Sequence, residues 1–190
     1  MAAVVGICNS ALVKLGAQRI LSLTEGSKNA NLCAEQYEKV RDDMLRSHIW
    51  NFAVKRVKLA QLSAAPTFGF SYAYQLPTDY LRLVSAHSSE AGTDQPAYKL
   101  EGRTLLADAG GIYLRYIWQV TDPNGMDAQF REVLAWGLAA DLAIPITQSS
   151  TTRQQMLEGL KDQLSKAKSV DAIEDYPEAE GFSGWVSARY

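Results

Sequence analysis

A chain of 190 residues, 47% hydrophobic and 21% charged, suits one globular domain that needs neither metal nor disulfide to fold. Its formal net charge of −2 argues against a surface that wraps nucleic acid, which calls for a strongly basic protein. No segment reaches the roughly 18 consecutive apolar residues of a membrane span. The first residues, Met1-Ala-Ala-Val-Val-Gly-Ile-Cys8, lack the basic and continuously apolar character of a secretory leader, so a soluble protein made in the cytoplasm is expected.

In chain order, Val4, Ile7, Ala11, Leu12 and Leu15 follow a helical period, predicting a helix over about 2–16 that Gly16 ends in left-handed geometry. Ser27 is the expected N-cap of a helix over about 27–48. Its apolar face is Ala30, Cys33, Ala34, Tyr37, Val40, Met44 and Leu45, with Glu35, Glu38, Arg41, Asp42 and Arg46 between. The two stripes are expected to pack on each other. Cys8 and Cys33 both lie on apolar faces and form no CxxC or zinc spacing, so they read as small buried hydrophobes in a reducing compartment.

At Trp50 the period changes to two, which sends Trp50, Phe52, Val54 and Arg56 to one face of a strand and Asn51, Ala53, Lys55 and Val57 to the other. Phe68, Phe70, Tyr72, Tyr74 and Leu76 form the cleanest alternation, and Pro77 breaks it. Shorter strands are predicted at 81–86, 98–100, 104–107 and 112–118, with Gly110-Gly111 as a hairpin turn. The region over about 50–120 therefore reads as one small, mostly antiparallel sheet. Beyond the turn Asp122-Pro-Asn-Gly125, a helix over about 127–146 buries Phe130, Val133, Leu134, Leu138 and Leu142, and Pro145 should terminate or kink it. Thr151-Thr-Arg-Gln154 fits a capping box that opens a helix over about 151–170, with Met156, Leu157, Leu160, Leu164 and Ala167 facing inward. The expected fold is α+β: a four-helix bundle with a small antiparallel β-region inserted between the helix pairs, as one domain over 1–170.

Residues 171–190 read as an extended C-terminal arm. Asp171, Glu174, Asp175, Glu178 and Glu180 carry negative charge with no base before Arg189, yet Phe182, Trp185, Val186 and Tyr190 are costly to leave in water. The arm either folds back on its own core or docks on a neighbouring subunit through its aromatic tip. On the second reading, removing 171–190 should abolish assembly and spare the core, and Trp185→Ala should cost on the order of 2 kcal/mol of binding.

A search for chemistry assigns no catalytic, cofactor or metal residue. Gly181-Phe-Ser-Gly-Trp185 departs from the GxSxG nucleophile pattern, and His48 and His87 sit in different elements without catalytic spacing. His48 suits a helix end, where a cation favours the dipole. Glu35, Glu38 and Asp42 share a helical face, as glycoside hydrolysis requires and as solvated faces ordinarily do. Phosphate-loop, zinc and calcium motifs are absent from the sequence. Lys55, Arg56 and Lys58 form a basic cluster beside Trp50 and Phe52, reminiscent of a single-strand-binding platform. The aromatics precede the charges, however, and Asp42-Asp43 offset them, which favours a partner-facing edge strand.

Several motifs in fixed order resemble one family. These are Asn9-x-Ala-Leu-x-x-Leu-Gly16, Arg41-Asp-x-x-Leu-Arg-x-His-x-Trp-Asn-Phe-Ala-x-Lys-Arg56, Tyr72-x-Tyr-x-Leu-Pro-x-Asp-Tyr-Leu-Arg82, Tyr116-x-x-x-Val-Thr-Asp-Pro123, Phe130 and Leu138-Ala-Ala-Asp-Leu-Ala-x-Pro145. Together they are similar to tail tubular protein A, the head–tail adaptors of short-tailed bacteriophages. Ile49 departs from the proline that the family often has there. The resemblance implies a non-enzymatic virion protein that forms a ring, a dodecamer, between the portal protein and a tail nozzle of the tail tubular protein B kind. DNA would pass through the lumen without specific binding. Such a ring needs two different complementary patches per subunit. Candidates are the aromatic run Phe68, Phe70, Tyr72 and Tyr74, the arm residues Phe182, Trp185 and Tyr190, and the basic edge Lys55, Arg56 and Lys58. The alternatives are a virion-associated glycan hydrolase using Glu35 or Glu38, and a nucleic-acid-binding module centred on the basic edge.

Overall fold

A computed structural model describes residues 3–174. Helices α1 (Val4–Lys14) and α2 (Lys28–Ser47) come first, followed by strands β1 (Val54–Lys58), β2 (Tyr72–Gln75), β3 (Tyr80–His87), β4 (Tyr98–Glu101), β5 (Thr104–Ala107) and β6 (Tyr113–Trp118). Helices α3 (Ala128–Thr147) and α4 (Ser150–Glu174) close the order. The chain is mixed helix and sheet, with its strands between the second and third helices, as an α+β reading requires.

Helix α3 organises the helical layer. Besides its predicted stripe it buries Ala135, Gly137, Ala139, Ala140 and Ala143, so it is apolar nearly all round and must be covered on several sides. Its partners α1, α2 and α4 provide that cover, while α1 and α2 touch each other only slightly. The expectation that the first two helices pack chiefly on each other is thus corrected. Each has a narrow apolar stripe, and α3 offers both of them a broader surface.

Local signals set the helix ends with three revisions. Ser27 caps α2, its hydroxyl accepting the Ala30 N–H at 3.2 Å. Helix α4 starts before the predicted box: the Ser149 hydroxyl, and not Thr151, takes an N–H of the first turn, that of Thr152 at 3.1 Å. Pro145 lies inside α3, which ends two residues later at Thr147 with Gln148 left-handed at φ 53°. So close to the end, the missing proline N–H costs a bond only in the last turn. At the other terminus, α4 reaches Glu174, so 171–174 belong to the helix rather than to an arm. The rest of the expected arm, including Phe182, Trp185 and Tyr190, lies outside the described residues.

The junction after α2 also differs from expectation. Trp50 does not begin a strand; a 3₁₀ turn, Asn51–Ala53, follows it, and β1 starts only at Val54. The cause is the indole. Trp50 is 2% exposed, its Nε1 donates to the Met44 carbonyl at 2.9 Å, and its ring meets Phe130 edge-on at 5.0 Å. Capping α2 and filling the helical core together hold this residue out of any strand.

The β-region is two three-stranded antiparallel sheets, β1-β6-β3 and β2-β5-β4, where one sheet was expected. Gly110-Gly111 therefore joins strands of different sheets and is not a hairpin turn. Leu59, Tyr74, Leu76, Leu105, Ile112, Leu114 and Tyr116, drawn from both sheets and their links, form a second core distinct from the helical one. The aromatic run is only partly a strand. Beta-pairing of β2 with β5 covers Tyr72 to Gln75, and the Ser71 N–H goes to the Asp108 carboxylate at 2.8 Å instead of a ladder partner. Phe68 and Phe70 thus lie before the strand.

Candidate functional site

The basic edge is the natural starting point, because β1 is indeed an edge strand of its sheet. Alternation divides its cations. Lys55 shares a face with its cross-strand partner Tyr116, whereas Arg56 lies opposite Arg115 and Lys58 opposite Tyr113 on the other face. The three basic residues therefore do two different jobs.

Lys55 is structural. Its ammonium is 2.7 Å from Asp79 Oδ2 and 3.5 Å from the centroid of the Trp118 ring. The Tyr116 hydroxyl donates to Asp79 Oδ1 at 2.9 Å, and the Asp79 carbonyl accepts the Gln119 N–H at 2.8 Å. Burial alone would push the Asp79 carboxyl up, but the hydrogen bonds and charge of Lys55 and Tyr116 outweigh it and hold the group below the usual carboxylate range. Burial, then the bond to Asp79, pushes the Tyr116 phenol up. Because the folded pKa of Asp79 is depressed, its stabilisation is full above the unfolded value of about 3.9 and is lost as pH falls through the folded one. Asp79→Asn should therefore cost about 1–3 kcal/mol at pH 7 and show a shallower loss of stability on acidification, measured by urea melts at several pH values.

Arg56 and Lys58 instead line a groove of about 810 Å³ with Arg115, Tyr113, Ser85 and His87. The helical core reaches this sheet face where Val54 and Ile117 pair and at Val84, which also lines the groove. The far wall is the loop 88–95. Asp94 shapes it, accepting from the Ser88 and Ser89 hydroxyls, while its carbonyl lies 2.8 Å from His87 Nδ1. His87 Nε2 lies 3.0 Å from the Ser85 hydroxyl, so both ring nitrogens hold this wall in place. Lys58 Nζ stands 5.2 Å from the centroid of the Tyr113 ring.

This groove is electrostatically incomplete. Arg56 and Arg115 face each other directly across the ladder, an arrangement that destabilises a sheet unless an anion intervenes. Arg115 Nε is buried without a hydrogen-bond partner, and among the described residues no carboxylate forms an ion pair with Arg56, Lys58 or Arg115. Glu90 contributes to the lining but reaches none of them within ion-pair distance. The arrangement can bind an anion. Sequence reading found Arg56 and Lys58, named His87 only to set it aside as a catalytic residue, and missed Arg115. Arg115 lies within the strand expected over 112–118, yet nothing local says which strand it faces.

The aromatic candidates separate similarly. Tyr74 is 1% exposed and its hydroxyl donates to the Ala109 carbonyl, so it holds the second core and presents nothing outward. Tyr72 is half-buried against that core, and Phe70 is half-buried. Phe68, 88% exposed, is the member of the run that can meet a partner. Leu21 at 93% and Ile173 at 83% are the other strongly exposed large aliphatics among the described residues.

The remaining candidates take structural places. Glu35 and Glu38 are exposed, and Glu35 lies 3.8 Å from Lys39 one turn on; Asp42 pairs with Arg41 at 2.8 Å and accepts from Gln119 at 2.7 Å. His48 is the C-cap of α2 and sits 3.3 Å from Asp171. Asp171 also accepts the Asn51 N–H at 3.0 Å, tying the end of α4 to the turn before β1. Cys8 and Cys33 are both buried on facing helices, and the neighbouring Cys33 together with burial pushes the Cys8 thiol up. No protein-family model and no curated protein matches this chain.

Proposed function

We propose that the chain is a structural head-to-tail adaptor, forming a ring between the portal and the tail nozzle of a short-tailed phage, with DNA crossing the lumen. The observation that carries the reading is what the resembling motifs do here. Asn9 clamps Ile20 through two bonds of 2.8 Å, Trp50 closes α2, Asp79 joins Lys55 to Tyr116, and Asp122 accepts the Asn124 N–H at 2.9 Å. Each holds the frame of the fold, a set of roles consistent with an assembly module. The four helices are read as a bundle centred on α3, and the arm as the chain beyond Glu174. Exposed Phe68, Leu21 and Ile173 are the apolar points through which subunits or portal would engage.

Native mass spectrometry alone and with a portal ring tests this. A chain of 20.9 kDa that joins portal in a fixed multiple supports the adaptor, and Phe68→Ser should weaken that union about tenfold or more without lowering stability. A protein that ignores portal and remains monomeric would sink the reading. The arm is tested by cutting after Glu174, since a cut before Asp171 also removes its bonds to Asn51 and His48.

A further inference from the structure

The cationic groove on β1-β6-β3 has no part in the adaptor reading and stands whether or not that reading holds. Strand register arranges its floor in two ranks. Arg56, Arg115 and Ser85 form the first, and Lys58, Tyr113 and His87 the second. Directly opposed residues share a face, so both guanidiniums and the ammonium stand over one surface. Among the described residues none of these three cations has an ion-pair partner, and Arg115 Nε is buried without a hydrogen bond. Burying that N–H and opposing like charges both cost stability, and a bound anion offsets both.

Charge, geometry and size narrow the class of anion. Three cations call for several negative charges close together, which one carboxylate does not supply. Two guanidiniums side by side offer forked N–H donors to several oxygens at once, the geometry that a phosphate accepts. Lys58 lies one rank on, about 7 Å along the strand, as a flexible point charge for a second phosphate. Glu90, the carboxylate on the lining, forms no ion pair with any of them. The volume of about 810 Å³ is that of a small-molecule pocket, and the loop 88–95 walls one side. Asp94 braces this wall by accepting from the Ser88 and Ser89 hydroxyls. A walled space of that size suits a compact ligand, whereas a nucleic-acid strand calls for an open track several nucleotides long. We propose that the groove binds a compact oligophosphate, either a free di- or triphosphate or the phosphate chain of a nucleotide. One phosphate lies between Arg56 and Arg115 and the next on Lys58.

Calorimetric titration of the full chain with inorganic tripolyphosphate, in metal-free buffer at about 50 mM salt, tests the site. Binding should be one to one, with a Kd below about 100 μM. Arg56 is exposed, so R56S should leave the fold intact while lowering affinity about tenfold. R115S should lower it at least as much, and R115K, which keeps the charge without the fork, should fall between R115S and the natural chain. K161S, outside the groove on α4, should bind as the natural chain does. Thermal melts give a second readout: about 1 mM tripolyphosphate should raise the Tm of the natural chain more than that of R56S. Substituting ATP separates the two sources. Affinity no tighter than that of tripolyphosphate assigns the site to a free oligophosphate, and binding about tenfold tighter assigns it to a nucleotide. Absence of binding at about 1 mM, or binding that R56S and R115S leave unaltered, would overturn the proposal. So would tighter binding of a single-stranded DNA of about 20 nucleotides or of an Asp/Glu-rich peptide, either of which would give the groove to a macromolecule.

Discussion

Trp50→Ala should cost about 3–5 kcal/mol of stability, the range for removing a large buried aromatic, and should be the most damaging single change in the helical core. Three roles are lost together. The ring contacts Phe130 at 5.0 Å, His48 at 4.9 Å and Phe52 at 6.2 Å, and its departure leaves a cavity between α2 and α3. The Met44 carbonyl, in the last turn of α2, loses the indole N–H that satisfies it at 2.9 Å. The turn that directs the chain into β1 loses its anchor, so the nearby bonds from Asn51 to Asp171 weaken as well. Urea unfolding measures the loss. Trp50→Phe separates the parts: it keeps most of the packing and forfeits the hydrogen bond, so it should cost about 1–2 kcal/mol. Equal, small losses for both variants would show that the residue is not the keystone described.

Gly159→Ala should destabilise the protein by about 1–3 kcal/mol, although the same change in an exposed helix would stabilise it by up to about 1 kcal/mol. A methyl on Gly159 would lie 2.3 Å from Trp136 Cζ3 and 2.6 Å from Cε3, far inside van der Waals contact. The indole would have to swing off α4. In doing so it would leave Lys14, whose ammonium is 4.6 Å from the ring centroid and 2.6 Å from Glu132. Three helices meet at that point, so displacing the ring loosens α1, α3 and α4 together. Gly137→Ala is the comparison: its added methyl meets Val40 Cγ1 at 3.0 Å, a branch tip that can shift by a few tenths of an ångström, and the cost should be smaller. Thermal melts that ranked the two glycines in the reverse order would contradict this account.

Both effects bear on what could be read in advance. The helices were legible because a 3.6-residue stripe is a local pattern, and α3 departed from expectation in how completely its small residues are buried and in carrying Pro145 within its last turn. Ser27 worked as a cap because its reach is three residues, whereas the choice of Ser149 over Thr151 depended on where α3 ended. Trp50 looked like a strand residue because alternation sees only apolar and polar; the bond from its indole to Met44 and the fit against Phe130 overrode that pattern. Gly159 carried no warning at all, since its constraint is a ring on another helix.

The candidate site divides along the same line. From the amino-acid order alone came the α+β class, the two cysteines as core residues, the strand character of β1 and the presence of cations on it. Periodicity and cap chemistry act over a few residues, so these features are written locally. Tertiary structure alone decided that the strands form two sheets, that Tyr74 faces the core while Phe68 faces water, and that Lys55 joins Asp79 while Arg56 meets Arg115. Those outcomes depend on strand register, and register is set by burying two cores at once, a condition that no single stretch of the chain contains.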